Sequence, residues 1–440
     1  MKKTKILVPA AMVTGLGLSW MVCIHGDVKE HVEYKVDLSG AQESLDKGLY
    51  EQAIERYKEA LTYDCSVEIY RQMEEAYELF YEEEQSAYVR NNYIDDMEQA
   101  AGEFPEEEEF WIKQMDLYKE ALDYSSAYRV AKRAINHKVK SEKIEKEYEE
   151  LLYMVRLQYS LYSQFKTCLN GYISVCDGEQ WVVLDEKGKE LTESYPLVGL
   201  INDEGRGLYV NEIDTRLLDR KEVTRARFKV DIEDAGYYSD SLECVPVKVK
   251  GKWKYLKLDG TFLKGEYEQA GSFYDGIAAV KEGGKWKLID SAGKDVSNHK
   301  YEDIKLDLYG SYQQGGVMIA KENGKYHLYD GERRQISSFA CDDMDICIDN
   351  GLIAFSKNGL WGYVNVNGEI VVEPQYQKAK SFSHGMAAVC GKDGKWGFIN
   401  EEYKLVIGYE YLDAYYFTDA ETCMVSAIEN TYQIMEYMFD

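Results

Sequence analysis

The chain has 440 residues, 45% of them hydrophobic and 30% charged, with 5 prolines, so it can fill two or three folded domains and leaves little room for Pro-rich linkers. Its formal net charge of −27 opposes any polyanion and excludes a nucleic-acid-binding role. The 9 cysteines are scattered, and no C-x-x-C spacing occurs, which fits neither a disulfide framework nor a zinc site. Cys168 with Cys176, or Cys341 with Cys347, could pair; the rest read as small buried hydrophobes in strands.

Lys2, Lys3 and Lys5 precede an apolar run of 19 residues, Ile6 to Ile24. At about 1.5 Å per helical residue that run nearly spans a bilayer core. It ends at Trp20-Met21-Val22-Cys23-Ile24-His25, without a small-x-small cleavage site. Residues 1–26 are therefore expected to form an uncleaved membrane anchor, with a cleaved signal peptide and a secreted chain as the alternative. The basic flank places the bulk of the chain outside the cytoplasm.

Residues 36–160 carry Glu, Lys, Ala, Tyr and Leu at helical spacing. Ala53 and Ala60 stand on one helix face with Tyr57 between them, and Gly48 and Tyr50 fit the turn before that helix. Small residues let a neighbouring helix approach and the ring fills the space beside them. Ala87 and Ile94 follow a frame of 34 later, and Trp111, Ala127, Ala131 and Ala134 make a third unit. Phe104-Pro105 closes the second unit, and a last helix from about Lys143 to Leu161 is expected to cap the stack. The acidic runs Glu82 to Glu84 and Glu106 to Glu109 read as solvated loops. The spacing resembles tetratricopeptide repeats. That resemblance implies a groove lined by the first helix of each pair, which holds a peptide or protein surface. By position, Arg71, Glu75 and Glu78, with Ile112, Asp116 and Lys119, would face that groove.

From residue 161 to 440 short strands alternate with Gly-containing turns. A block centred on Trp361, with Gly351 ten residues before it and Tyr376 fifteen after, recurs around Trp396 and Tyr411. Earlier centres are Trp181, Trp253 and Trp286; worn ones are Thr215, Tyr326 and Tyr432. Successive centres lie 34, 38, 33, 40, 35, 35 and 36 residues apart. A Tyr follows five of them at 14 or 15 residues: Tyr195, Tyr267, Tyr301, Tyr376 and Tyr411.

These blocks resemble WG repeats, named for a Trp-Gly pair that Trp361-Gly362 and Trp396-Gly397 keep. Trp181-Val182, Trp253-Lys254 and Trp286-Lys287 lack the Gly. About eight such units cannot bury their own faces and must share a core. The expected fold is α followed by all-β: tetratricopeptide-like hairpins, then a propeller-like array, with an open β-solenoid as the alternative. Closure removes unpaired edges and favours the propeller. The last copy lacks its late strand, and residues Tyr159 to Phe165 stand where such a strand would complete it. The recurrent Trp is expected to be a packing residue.

The 6 histidines form no H-x-x-x-H pair, and no G-x-S-x-G, phosphate-binding or dinucleotide fingerprint is present. Asp342, Asp343 and Asp345 lack calcium-loop spacing. The chain therefore reads as a non-enzymatic scaffold without a cofactor or metal. Its expected partner is a protein or peptide. A cell-wall glycan bound on open Tyr and Trp faces is the alternative. A propeller hydrolase would instead require carboxylates or histidines converging in a central pocket.

Overall fold

The computed structural model describes residue 35 and residues 37–167, 171–219, 221–297, 299–346 and 351–439. The expected N-terminal anchor lies outside them. Among the described residues no helix is long and apolar enough to cross a membrane. The chain divides into a helical unit ending at Leu152 and a β unit running Tyr153–Met438.

The helical unit begins with a helical segment over residues 37–46. Six helices follow: Tyr50–Tyr63, Val67–Glu83, Ala87–Glu103, Glu108–Glu120, Tyr124–Asn136 and Glu142–Leu152. Three starts are set by side-chain caps that satisfy an otherwise orphaned N–H. Ser86 accepts from Val89 N at 3.2 Å, Asp123 from Ser126 N at 3.0 Å, and Ser141 from Ile144 N at 3.3 Å. Trp111 is fully buried and its indole donates to the Pro105 carbonyl at 3.0 Å, fixing the turn that closes the second hairpin. Ala53, Ala60, Ala127, Ala131 and Ala134 are all buried where helices cross, and so is Ile94, but Ala87, the second unit's counterpart of Ala53, is exposed at the first residue of its helix. Asp96 adds a polar tie: it accepts from Tyr77 Oη and lies 2.8 Å from Lys58 Nζ, linking three successive helices. The capping helix stops at Leu152, short of the expected Leu161, because the chain from Val155 onward is recruited as a strand.

The β unit holds eight separate antiparallel sheets. Sheet 1 comprises Gln164–Thr167, Ile173–Cys176 and Trp181–Leu184. Sheet 2 comprises Leu197–Val198, Gly207–Val210, Thr215–Leu218 and Thr224–Phe228. Sheet 3 holds Asp234–Ala235, Cys244–Val249 and Lys252–Lys257, and sheet 4 Gln269–Ala270, Ile277–Glu282 and Lys285–Asp290. Sheet 5 holds Asp303–Ile304, Met318–Glu322 and Lys325–Tyr329, and sheet 6 Asp343–Met344, Ile353–Lys357, Leu360–Val364 and Ile370–Tyr376. Sheet 7 comprises Lys378–Ala379, Met386–Cys390, Trp396–Asn400 and Leu405–Tyr411. Sheet 8 takes Asp413–Phe417, Thr422–Ser426 and Gln433–Tyr437, and its outer strand is Val155–Leu157 from the other end of the unit.

Every sheet shares an apolar cluster with the next. Val183 meets Val198, Leu217 meets Val247, and Tyr255 meets Val280. Leu288 meets Met318, Leu328 meets Phe355, and Tyr363 meets Val389. Phe398 then meets Val425, and Met424 of sheet 8 meets Ile173 of sheet 1. The array therefore closes on itself as a propeller-like ring, which overturns the open-solenoid alternative. The strand that completes sheet 8 lies slightly upstream of the expected Tyr159 to Phe165. Within that stretch Tyr162 pairs with Tyr432, while Phe165 belongs to the first strand of sheet 1.

All eight repeat centres lie within one residue of the start of the third strand of their sheet. Trp181, Trp286, Tyr326 and Trp396 are buried, and Trp253 and Trp361 half-buried. The Tyr that follows each Trp is its direct cross-strand partner: Trp181 with Tyr195, Trp253 with Tyr267, Trp286 with Tyr301, Trp361 with Tyr376, and Trp396 with Tyr411. Such pairs stabilise sheets through side-chain packing.

The glycine of the Trp-Gly pair has a steric reason. A Cβ on Gly362 would sit 2.3 Å from the Val372 carbonyl oxygen, and one on Gly397 2.6 Å from that of Ile407. In both sheets the fourth strand bulges directly over the glycine. Where Lys254 or Lys287 takes its place, the following segment touches the third strand only at isolated bridges, Trp253 to Tyr267 with Leu256 to Phe262, and Trp286 to Tyr301 with Ile289 to Asp295.

Candidate functional site

In the helical unit the residues expected to line a groove lie on Val67–Glu83 and Glu108–Glu120. Most are already engaged with the helix two places away in the chain. Arg71 donates to Glu109 at 2.7 Å and to Glu107 at 3.0 Å. Lys113 bridges Glu78 and Glu74. Asp116 pairs with Lys143 at 3.1 Å, and Lys119 with Glu147 at 2.5 Å. Glu75 is exposed and Ile112 half-buried. Glu107 and Glu109 thus pair with Arg71, Glu108 and Glu109 open a helix, and Glu82 and Glu83 belong to one. A different concavity of about 310 Å³ opens in this unit over Leu49, Tyr50 and Phe80, rimmed by Glu51, Glu83 and Glu84. Leu49 is 44% exposed there, and the Tyr50 and Phe80 rings lie 6.1 Å apart.

In the β unit, Ser163, Phe165, Leu306, Leu308, Ile346, Lys380, Tyr415, Tyr416 and Tyr432 line a cavity of about 520 Å³. Sheets 1 and 5 stand opposite each other in a ring of eight, so a cavity that Phe165 and Leu308 share lies on the ring's axis. Its aromatic wall is tightly organised. Phe165 meets Tyr415 edge-on at 4.6 Å between centroids and Tyr432 at 4.8 Å. Burial and the neighbouring Asp345 carboxylate push the Tyr416 hydroxyl well above the usual tyrosine range. That hydroxyl donates to both Asp345 oxygens at 2.8 Å, and Ser381 N donates to Asp345 Oδ2 at 2.7 Å.

Three lysines lie in or directly after first strands, Lys166 in sheet 1, Lys305 in sheet 5 and Lys380 in sheet 7, and differ in their partners. Lys166 Nζ lies 2.7 Å from Asp234 and over the Trp181 ring. Lys305 lies 2.9 Å from Asp343 and over Tyr326. Lys380 lies over Tyr415 and Tyr416 at 5.3 and 5.4 Å, and among the described residues its ammonium has neither a carboxylate partner nor a hydrogen-bond acceptor. The acidic stretch near sheet 6 is likewise parcelled out: Asp342 pairs with Lys325, Asp343 with Lys305, and Asp345 with Tyr416. Neither the axial cavity nor Lys380 is marked by any motif, and the first strands that frame the cavity are only two residues long in most sheets.

A second carboxyl group stands out at the seam between sheets 8 and 1. Glu186 is 7% exposed, and burial together with a hydrogen bond to the Asp419 carboxyl pushes its pKa up to about 8. Its Oε1 accepts from Gly171 N at 3.0 Å, and its carbonyl accepts from Thr422 Oγ1 at 2.8 Å. Of the cysteines, Cys176, Cys244, Cys341, Cys390 and Cys423 are buried free thiols and Cys65 is exposed. Cys168 and Cys347 lie outside the described residues.

Helical hairpins followed by a ring of eight small sheets define a repeat scaffold, an architecture that presents surfaces from a rigid frame. The profile of WG-containing repeats matches residues 262–286 and 361–396. These two segments of the β unit carry WG repeats. No curated protein matches the chain. Among solved structures, the WD40 β-propeller domain of Doa1 is similar at 13% identity over 65% of this chain and 96% of that one, with a TM-score of 0.32. Hsv2 of Kluyvelomyces marxianus is similar at 11% over 53% and 92%, with a TM-score of 0.35. A eukaryotic initiation factor is similar at 11% over 60% and 80%, with a TM-score of 0.40.

Proposed function

We propose that this chain is a membrane-tethered scaffold that holds a protein or peptide partner outside the cytoplasm, without chemistry of its own. The observation that carries the binding half is the concavity over Leu49, Tyr50 and Phe80 with its rim of Glu51, Glu83 and Glu84. An apolar floor inside a carboxylate rim suits a hydrophobic residue flanked by Lys or Arg, and the net charge of −27 steers such a segment inward. The inter-helix ion pairs of Arg71, Asp116 and Lys119 are solvent-accessible. Such pairs contribute about 0–1 kcal/mol, so a partner can exchange them at little cost. The tether half rests on the Lys-flanked apolar run of residues 6–24. A hydrolase reading gains no support from the axial cavity, whose described lining holds one charged side chain, Lys380.

The test is capture of hydrophobic-basic peptides from an array by the full chain and by the pair Leu49→Ser with Glu84→Gln. Loss of capture in the pair supports the reading, and unchanged capture overturns the site. Protease added to intact cells should digest the repeats; full protection overturns the topology.

A further inference from the structure

We infer that the axial cavity of the WG-repeat ring is a binding site for a small organic carboxylate with an apolar body, and that Lys380 is the residue that selects its charge. The cavity's volume of about 520 Å³ falls within the roughly 300–1,000 Å³ of small-ligand sites, which are mostly apolar with a few placed polar groups. Phe165, Leu306, Leu308, Ile346 and the Tyr415 ring supply an apolar enclosure for the ligand's body.

The charge preference follows from the comparison of the three axial lysines. Lys166 and Lys305 have carboxylates at 2.7 and 2.9 Å, so their charge is already matched. Lys380 has two aromatic faces instead, which orient the ammonium without using its N–H donors. Asp345, the carboxylate beside Tyr416, has both oxygens occupied by Tyr416 Oη and one also by Ser381 N. An ammonium in a half-buried, aromatic-walled cavity lacks only its counter-ion, and a ligand carboxylate supplies it with a charge-assisted hydrogen bond. The chain's net charge of −27 does not prevent this. At physiological salt, charges beyond about 8 Å are largely screened, and the pocket's own sign dominates.

The probes are 3-phenylpropionate, its neutral amide 3-phenylpropionamide, and glucuronate, titrated into the full chain and followed by ligand-observed NMR. The acid should bind about tenfold more tightly than the amide, the value of one charge-assisted contact. Lys380→Gln and Lys380→Met should both erase that preference while leaving the amide's affinity and the melting temperature unchanged. Phenylpropionate binding above glucuronate assigns the site to aryl or alkyl acids, whereas tighter glucuronate binding overturns the apolar-body assignment. Equal binding of acid and amide, a preference that survives in both variants, or no binding of any probe at about 5 mM overturns the inference.

Discussion

Tyr162 and Tyr432 exchange two backbone hydrogen bonds, Tyr162 N to Tyr432 O at 2.9 Å and Tyr432 N to Tyr162 O at 2.7 Å. In sheets 1, 3 and 4 the same two bonds join the repeat centre to the Tyr that follows it: Trp181 to Tyr195, Trp253 to Tyr267, Trp286 to Tyr301. At the eighth repeat the partner tyrosine comes from the N-terminal side of the ring. Tyr162 thus completes the last repeat, and Val155–Leu157 completes its sheet.

A chain ended after Asn430 should lose that closure. It forfeits Ile434 and Met435, both buried, and leaves Thr422–Ser426 with an unpaired edge. Burial of each such side chain contributes about 2–5 kcal/mol, so the melting temperature should fall by at least about 10 °C and soluble aggregates should appear by light scattering. A monomer that melts like the parent would show that the ring does not depend on its seam.

The two frames were legible because each places residues of fixed size at fixed spacing. Ala53, Ala60, Ala127 and Ala134 sit at helix crossings, and the Trp-to-Tyr interval is one cross-strand pair measured along the chain. The upstream position of the closing strand was not legible, since Val155-Arg156-Leu157 is too short to show a period. The candidate groove residues lie on Val67–Glu83 and Glu108–Glu120, and their ion-pair partners come from the helix two places further on, which spacing within one repeat does not report. Lys380 is one of 52 Lys and Arg residues and stands out only once closure brings sheets 5 to 8 and sheet 1 around one axis.

Glycines should respond to alanine according to what faces them. Gly362→Ala puts a methyl 2.3 Å from a backbone oxygen that cannot move without breaking the bulge. It should destabilise by about 2 kcal/mol or more. Gly102 lies in the helix Ala87–Glu103 with nothing within 4 Å of a new Cβ, so Gly102→Ala should stabilise by about 0.5–1 kcal/mol. Chemical denaturation of both variants measures the contrast, and equal effects would refute the steric account of the Trp-Gly pair.

The repeat tryptophans should matter in proportion to their burial. Trp286 is 3% exposed within the cluster joining sheets 4 and 5, and Trp286→Ala should cost about 3–5 kcal/mol. Trp253 is half-buried, and Trp253→Ala should cost less. If either variant unfolded like the parent in urea but lost a bound ligand, the residue would be a contact and not a packing element.

The seam carboxyl predicts a pH dependence whose sign is set by its environment. Burial, and then the Asp419 carboxyl, raise Glu186 from 4.5 to about 8 in the folded chain. The folded state therefore holds a proton that the unfolded state has released, and stability falls as pH rises across that window. The contribution is complete below about pH 4.5 and is lost as pH passes through about 8. Asp307, raised by burial to about 7, acts in the same direction, so the parent's slope alone does not isolate Glu186. Glu186→Gln does: the amide cannot ionise, keeps an oxygen for Gly171 N, and can donate to Asp419. Between pH 5 and pH 9 the parent should lose on the order of 2–3 kcal/mol more than Glu186→Gln. Paired thermal melts at the two pH values read the difference. A variant that loses as much as the parent would mean that Glu186 is ionised in the folded ring and that the seam is held by Thr422 and the apolar cluster around Met424 alone.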